Sequence, residues 1–246
     1  WKCIMNENKA KYLALPKVSP YTTFRYYNVK EDHKFLKEEI IKVLDTSKKQ
    51  KVIDVGCGNG ELIHYLNNAF PNFSYFGYDY TKEFIEFAKK HISKRNTYFD
   101  CIDLFELNND DADLVISDGV TQIFDDVFSV IDKKLALLKE GGCLLTTGRF
   151  NQYDIEVRMQ YCDNSNPETK GVWRSDWCQH TRKSISDHYT EKVKLIEFKD
   201  VPFSIDLPFD NKNHIKQFTI DTGKKSKIVT NGTNIILNKT LLKIIK

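Results

Sequence analysis

A set of aspartates and a run of closely spaced glycines carry the clearest chemistry in this chain. Asp54 sits inside a short apolar run, Val52-Ile53-Asp54-Val55, and Gly56-Cys57-Gly58-Asn59-Gly60 follows at once. Glycines placed this way let backbone N–H groups come close to a ligand. A helix beginning at Glu61 would turn its positive end toward the same point. Asp79 ends a second apolar run, where a carboxylate can accept from a pair of neighbouring hydroxyls. Asp103-Leu104 follows a third run, and Ser117-Asp118-Gly119 closes a fourth. Asp118 and His180 are the candidate proton acceptors, since carboxylate and imidazole are common general bases. Arg149, Arg158 and Arg174 are candidates for holding an anionic group.

The elements that must position these residues alternate. Strands are expected over Lys51–Val55, Phe73–Tyr78, Thr97–Cys101, Ala112–Ser117 and Cys143–Thr147. Helices are expected over Asp32–Leu44, Glu61–Phe70, Thr81–Ile92 and Phe124–Leu138, the last stopped by Gly141-Gly142 as its C-terminal cap. From Lys51 to Gly148 the order is β-α-β-α-β-β-α-β, which predicts a doubly wound α/β fold whose parallel sheet is covered on both faces. Ligands of such a sheet meet the carboxyl ends of its strands.

The spacing G-x-G-x-G differs from the G-x-G-x-x-G of dinucleotide enzymes, whose third glycine would fall at Glu61. With Asp54 in the strand, it resembles motif I of the class I S-adenosylmethionine (SAM)-dependent methyltransferases, and the small-molecule type in particular. The resemblance runs from Lys51 to Gly148 through four matches in order. It implies a Rossmann-like seven-stranded sheet, mostly parallel with one antiparallel strand, for which His214–Ile220 is the expected returning strand. It also implies SAM as cofactor and S-adenosylhomocysteine as product. On this reading Asp54, Gly56, Cys57, Gly58, Asn59, Gly60 and Ser117 belong to the cofactor site. Asp79 takes the ribose hydroxyls, Tyr80 lies against the adenine, Asp103 accepts from the adenine amino group, and the N–H of Leu104 bonds the ring.

At 246 residues the chain fits a single methyltransferase domain. Residues 1–30 are read as an N-terminal lid or strap in which Tyr21, Thr22 or Arg25 could touch a ligand. Residues 31–148 are the SAM-binding core, and 149–192 an acceptor-binding cap of loop and broken helix, with a helix over Trp177–Tyr189. Residues 193–246 supply a strand at Val193–Phe198, the other remaining strand and a terminal hairpin across Lys227–Thr230 and Asn234–Leu237. A net charge of +3 with interspersed acids favours a small-molecule acceptor over nucleic acid. Six cysteines without a C-x-x-C pair argue against structural zinc or an iron–sulfur cluster and for a reducing compartment, and Arg149, Phe150 and Asn151 after the fifth strand, where the metal-dependent type needs clustered acids, predict no metal. No apolar run spans a bilayer and no signal-peptide pattern is present, so a cytoplasmic protein without membrane association is expected. The Lys-, Asn- and Ile-rich composition points to a bacterial source.

Absences narrow the chemistry further. Ser117-Asp118-Gly119-Val120 is not the [D/N]-P-P-[Y/F] of amino-nitrogen methylation, and no Pro-Cys dipeptide offers a thiolate nucleophile. What remains is O- or N-methylation of a small polar metabolite, sugars and nucleotide-linked sugars among them. An RNA methyltransferase, a SAM-binding non-catalytic partner subunit and a nicotinamide-dependent oxidoreductase are the competing readings.

Overall fold

The computed structural model describes residues 29–246 apart from 109, 110, 166, 168, 176, 213 and 234. The lid reading of Tyr21, Thr22 and Arg25 therefore lies outside the described residues. In the core, β1 (Lys51–Val55), β2 (Ser74–Asp79), β3 (Thr97–Cys101), β4 (Ala112–Asp118) and β5 (Leu138–Gly148) alternate with α2 (Glu61–Ala69), α3 (Lys82–His91) and α4 (Val127–Ala136). Helix α1 (Glu31–Val43) leads in, and α5 (Arg182–Tyr189) precedes β10 (Leu195–Asp200). The strand order is β10-β13-β5-β4-β1-β2-β3, where β13 spans Thr240–Ile245.

Successive side chains of these strands point to opposite faces, and each face has its own core. Val52, Leu114, Ile116, Cys143 and Leu145 pack with Leu36 and Ile40 of α1, Leu62 and Leu66 of α2, and Ile85 of α3. Ile53, Val115, Leu144, Leu242 and Ile244 pack with Val130 and Ile131 of α4 and with Ile185 and Tyr189 of α5. Because both faces are buried, the strands read as nearly continuous apolar runs rather than alternating ones.

Three expected elements fall elsewhere. The returning antiparallel strand is β13, not His214–Ile220, and it inserts between β5 and β10. A strand in that place must bury both faces, and Thr-Leu-Leu-Lys-Ile-Ile does so over its first five residues. Phe218–Ile220 is instead β11, partly exposed, and it pairs with β12 (Ile228–Thr230). The expected terminal hairpin forms no paired strands among the described residues: Leu237 N–H donates to Val229 O at 2.7 Å, Asn238 Oδ1 accepts from Val229 N–H, and Asn238 Nδ2 and Thr230 Oγ1 donate to Lys227 O and Ile235 O. Helix α4 is shorter than predicted. Asp126 caps it by accepting from Phe128 and Ser129 N–H, and it stops at Ala136 rather than at the glycines. Gly141-Gly142 lies inside β5, where the pairing with β4 slips between Ala112↔Leu138 and Leu114↔Cys143.

The segment after β5 holds short strands rather than a broken helix. Phe150–Asn151 (β6) pairs with His180–Thr181 (β9), and Gln160–Cys162 (β7) pairs with Trp173–Ser175 (β8). Thr181 then caps α5 by accepting from Ser184 N–H, so that helix begins five residues later than Trp177. A third apolar cluster joins Trp177, Tyr161 and Met159 to Phe203, Ile215, Val229 and Leu237. The region read as a cap over 149–192 thus packs as one unit with residues beyond 200. No described helix is long and apolar enough to cross a membrane.

Candidate active site

Strand order reverses between β1 and β4, and a cleft opens there at the carboxyl ends of β1 to β4. The loop after β1 is folded by its own backbone: Gly56 and Cys57 N–H donate to Tyr78 O at 2.7 and 3.1 Å, and Gly60 N–H donates to Cys57 O at 2.9 Å. Gly56 has φ +76°, and a Cβ there would lie 2.2 Å from Val120 Cγ2. Gly58 also has a positive φ, +53°, but a Cβ there would meet nothing within 4 Å, so its open side faces the cleft. Gly60 is the N-cap residue of α2.

Asp79 ties two walls together. Its Oδ2 accepts from Gly58 N–H at 3.0 Å and its Oδ1 from Thr81 N–H at 2.8 Å. Burial raises its pKa, while those two backbone donors pull the other way. Asp103 accepts from Phe105 N–H at 3.0 Å and caps the short 3-10 turn Leu104–Glu106. Asp79, Tyr80, Asp103 and Leu104 all line the cleft, with Ile102, Leu107 and Phe124 supplying apolar wall. A slot with carboxylates at one end and an apolar wall suits a ribose carrying a flat base.

Asp54 lies at 2% exposure beneath the loop, and its Oδ2 has no hydrogen-bond partner. Burial, then the Asp118 and Asp79 charges, push its pKa up to about 8. A buried carboxyl oxygen left unpaired is costly and calls for a donor or a cation from a ligand. That orphaned oxygen and the open face of Gly58 fit the cofactor that the sequence implies.

Four predicted site residues are not brought to the cleft by their side chains. Cys57 packs into the α1–α3 core and contributes only backbone. Asn59 is buried and bonds within its own turn, its Oδ1 accepting from Glu61 N–H at 3.4 Å. Ser117 is fully buried, and its Oγ has no partner. His180 is also buried. Its Nδ1 meets Glu156 Oε1 and its Nε2 meets Phe124 O, both at 3.0 Å. With both nitrogens occupied it has no free lone pair for an acceptor, so the structure removes it from the base role. Of the arginines, Arg149 and Arg174 are buried and Arg158 is exposed.

Asp118 does line the cleft, and it is held by residues that the sequence did not single out. Its Oδ1 accepts from Lys239 Nζ at 2.7 Å and from Thr147 Oγ1, and its Oδ2 faces His33 Nε2 at 3.7 Å. Lys239 also donates to Asp32 Oδ2 at 2.5 Å. Burial opposes the charge of Asp118, yet Lys239 and His33 hold its carboxyl well below the usual range. Burial likewise opposes the charge of Lys239, and Asp118 with Asp32 outweigh it and keep the ammonium charged. Asp32, His33 and Asp118 each offer an atom that could ligate a metal ion, but the ammonium already bridges both carboxylates.

A doubly wound sheet of this order, with a glycine loop at the switch point and carboxylates at successive strand tips, is that of a class I SAM-dependent methyltransferase. The chain belongs to the methyltransferase domain family, whose model matches residues 46–212. Among curated proteins it is 33% identical over 102 residues to the malonyl-[acyl-carrier protein] O-methyltransferase of Acetivibrio thermocellus, covering 41% of this chain and 36% of that protein. It is 29% identical over 126 residues to the protein of the same name from Hahella chejuensis, covering 50% and 45%. The match thus spans less than half the length of these relatives. Among solved structures it is similar to magnesium protoporphyrin IX methyltransferase from Synechocystis PCC 6803 with bound SAH. There the TM-score is 0.54 and the identity 13%, over 88% of this chain and 82% of that one. A methyltransferase in complex with the Haloferax volcanii Trm112 activator gives a TM-score of 0.58 at 14% identity, over 94% and 99%. At those identities the likeness is one of fold.

Proposed function

We propose that the protein methylates a hydroxyl or amine of a small polar metabolite, a class that includes sugars. When bound, SAM supplies a methyl group on a positively charged sulfur. The chain's own residues position it. Asp79 and Asp103 take the ribose hydroxyls and the base amino group, and the buried Asp54 oxygen beneath the loop receives an ammonium. Orienting donor and acceptor in one cleft supplies a large part of the rate.

The observation that carries the acceptor class is the charge at the β4 tip. Two carboxylates, Asp32 and Asp118, share one ammonium, Lys239. A rim with a surplus negative charge favours a neutral or cationic acceptor and repels a carboxylate. It therefore counts against the malonyl group named in the relatives, which cover too little of the chain to carry their acceptor across. The test is S-adenosylhomocysteine release across matched panels of hydroxyl, amine and carboxylate acceptors. Turnover at least tenfold faster on the hydroxyl or amine panel is expected, and preference for carboxylates would overturn the reading.

A further inference from the structure

One cluster beside the cleft remains without a task once the cofactor residues are assigned. His33, in the first turn of α1, is 4% exposed, and its Nε2 stands 3.7 Å from Asp118 Oδ2. That separation is too long for a good hydrogen bond between the two. It is short enough for one acceptor heteroatom to sit within hydrogen-bond reach of both. Among the described residues, the other titratable groups around the cluster are Asp32 on the same helix, Lys239 ahead of β13, Asp54 in β1, whose carboxyl feels the Asp118 charge, and the pair Lys30–Glu61 at 3.2 Å, which ties the entry of α1 to α2.

The two candidate bases are not equivalent. Asp118 is committed to Lys239 and Thr147, and a carboxylate stabilised in this way has little affinity for a further proton. Imidazole is the side-chain type best matched to proton transfer near neutral pH. Resting on the hydroxyl or amine acceptor proposed above, we propose that His33 accepts the acceptor's proton and that the charge of Asp118, on the same side as Nε2, stabilises the resulting imidazolium. In the transfer, a lone pair of the acceptor oxygen or nitrogen forms the bond to the methyl carbon. The carbon–sulfur bond breaks, and its electron pair stays on sulfur as the neutral thioether. The acceptor's proton passes to His33 Nε2 and then to solvent.

The test pairs His33→Gln with His33→Ala, reading SAM affinity by calorimetry and turnover against pH. In His33→Gln, turnover should fall about 10²-fold or more, and SAM affinity should stay within about twofold of the parent chain. The acid-side rise of the turnover profile should vanish. In His33→Ala, added imidazole should restore part of the turnover, which a merely structural loss would not allow. Turnover of His33→Gln within about threefold of the parent would overturn the assignment; so would an unchanged pH profile. Loss of turnover on chelation, restored by Mg²⁺ or Mn²⁺, would overturn it in favour of an ion at Asp32, His33 and Asp118. Turnover of carboxylate acceptors alone would reject the acceptor class itself. Hydroxyl turnover indifferent to His33 would reject only the base.

Discussion

Asp54 is the residue whose chemistry depends most on what binds beside it. Burial pushes its carboxyl up to about 8 from 3.8, so between those values the folded form keeps a proton that the unfolded form has lost. Folding takes up that proton, and stability therefore falls as pH rises from about 4 to about 8. Asp54→Asn should flatten this part of the profile, as read from urea midpoints across pH. An unchanged slope would show that another group sets it. SAM bears an ammonium group, and a carboxylate receiving it must give up its proton. Binding near pH 7 is then expected to release a proton, visible as an enthalpy that varies with the ionisation enthalpy of the buffer, and affinity should rise up to about pH 8. Identical enthalpies in phosphate and Tris would contradict the assignment of Asp54 to that ammonium.

At the scale of elements, one buried amine works against the fold. Lys134 on α4 is fully buried and, among the described residues, bonds to hydroxyls, Thr121 Oγ1 at 2.9 Å and Thr146 Oγ1 at 3.2 Å. Burial pulls its pKa down to about 7 from 10.5, so unfolding takes up a proton between those values. The cost is full below pH 7 and fades as pH rises toward 10.5. Lys134→Met should stabilise the chain by about 1–3 kcal/mol at pH 6 and by much less near pH 10. A thermal midpoint that falls in the variant would show that the amine holds α4 in place. In β13, Leu242→Ala should cost about 2–5 kcal/mol, because that strand is buried between two others. The elements around the glycine loop were legible because their runs are apolar and bounded by Gly, Pro and Asn. The range Thr97–Cys101 needs no revision. The place of β13 was not, since nothing local distinguishes one buried run from another and strand order is decided by distant partners. The site divides in the same way. Gly58, Asp79 and Asp103 act within a few residues of their strands, whereas Lys239 meets Asp118 and Asp32 across 121 and 207 positions. His180 looked free in sequence because Glu156 and Phe124 O reach it only through the fold.

For the molecule as a whole, the region beyond β5 shares the sheet core through Ile185, Tyr189, Leu242 and Ile244 and adds a further apolar cluster around Trp177. Trp177 is 7% exposed and stacks on Tyr161 with ring centroids 4.7 Å apart, in the cluster that joins the 149–192 segment to residues beyond 200. Trp177→Ala is expected to raise the acceptor KM at least tenfold and to leave SAM affinity unchanged. Loss of both together would mean that the cap and the cleft fold as a single unit. Cofactor binding in the cleft is checked by calorimetric titration of this chain with SAM beside Asp79→Ala. Micromolar binding by the parent chain is expected, with affinity weakened at least tenfold in a variant that still unfolds cooperatively, since Asp79 both closes the glycine loop and lines the cleft. No binding by the folded parent chain, or equal binding by the variant, would contradict it.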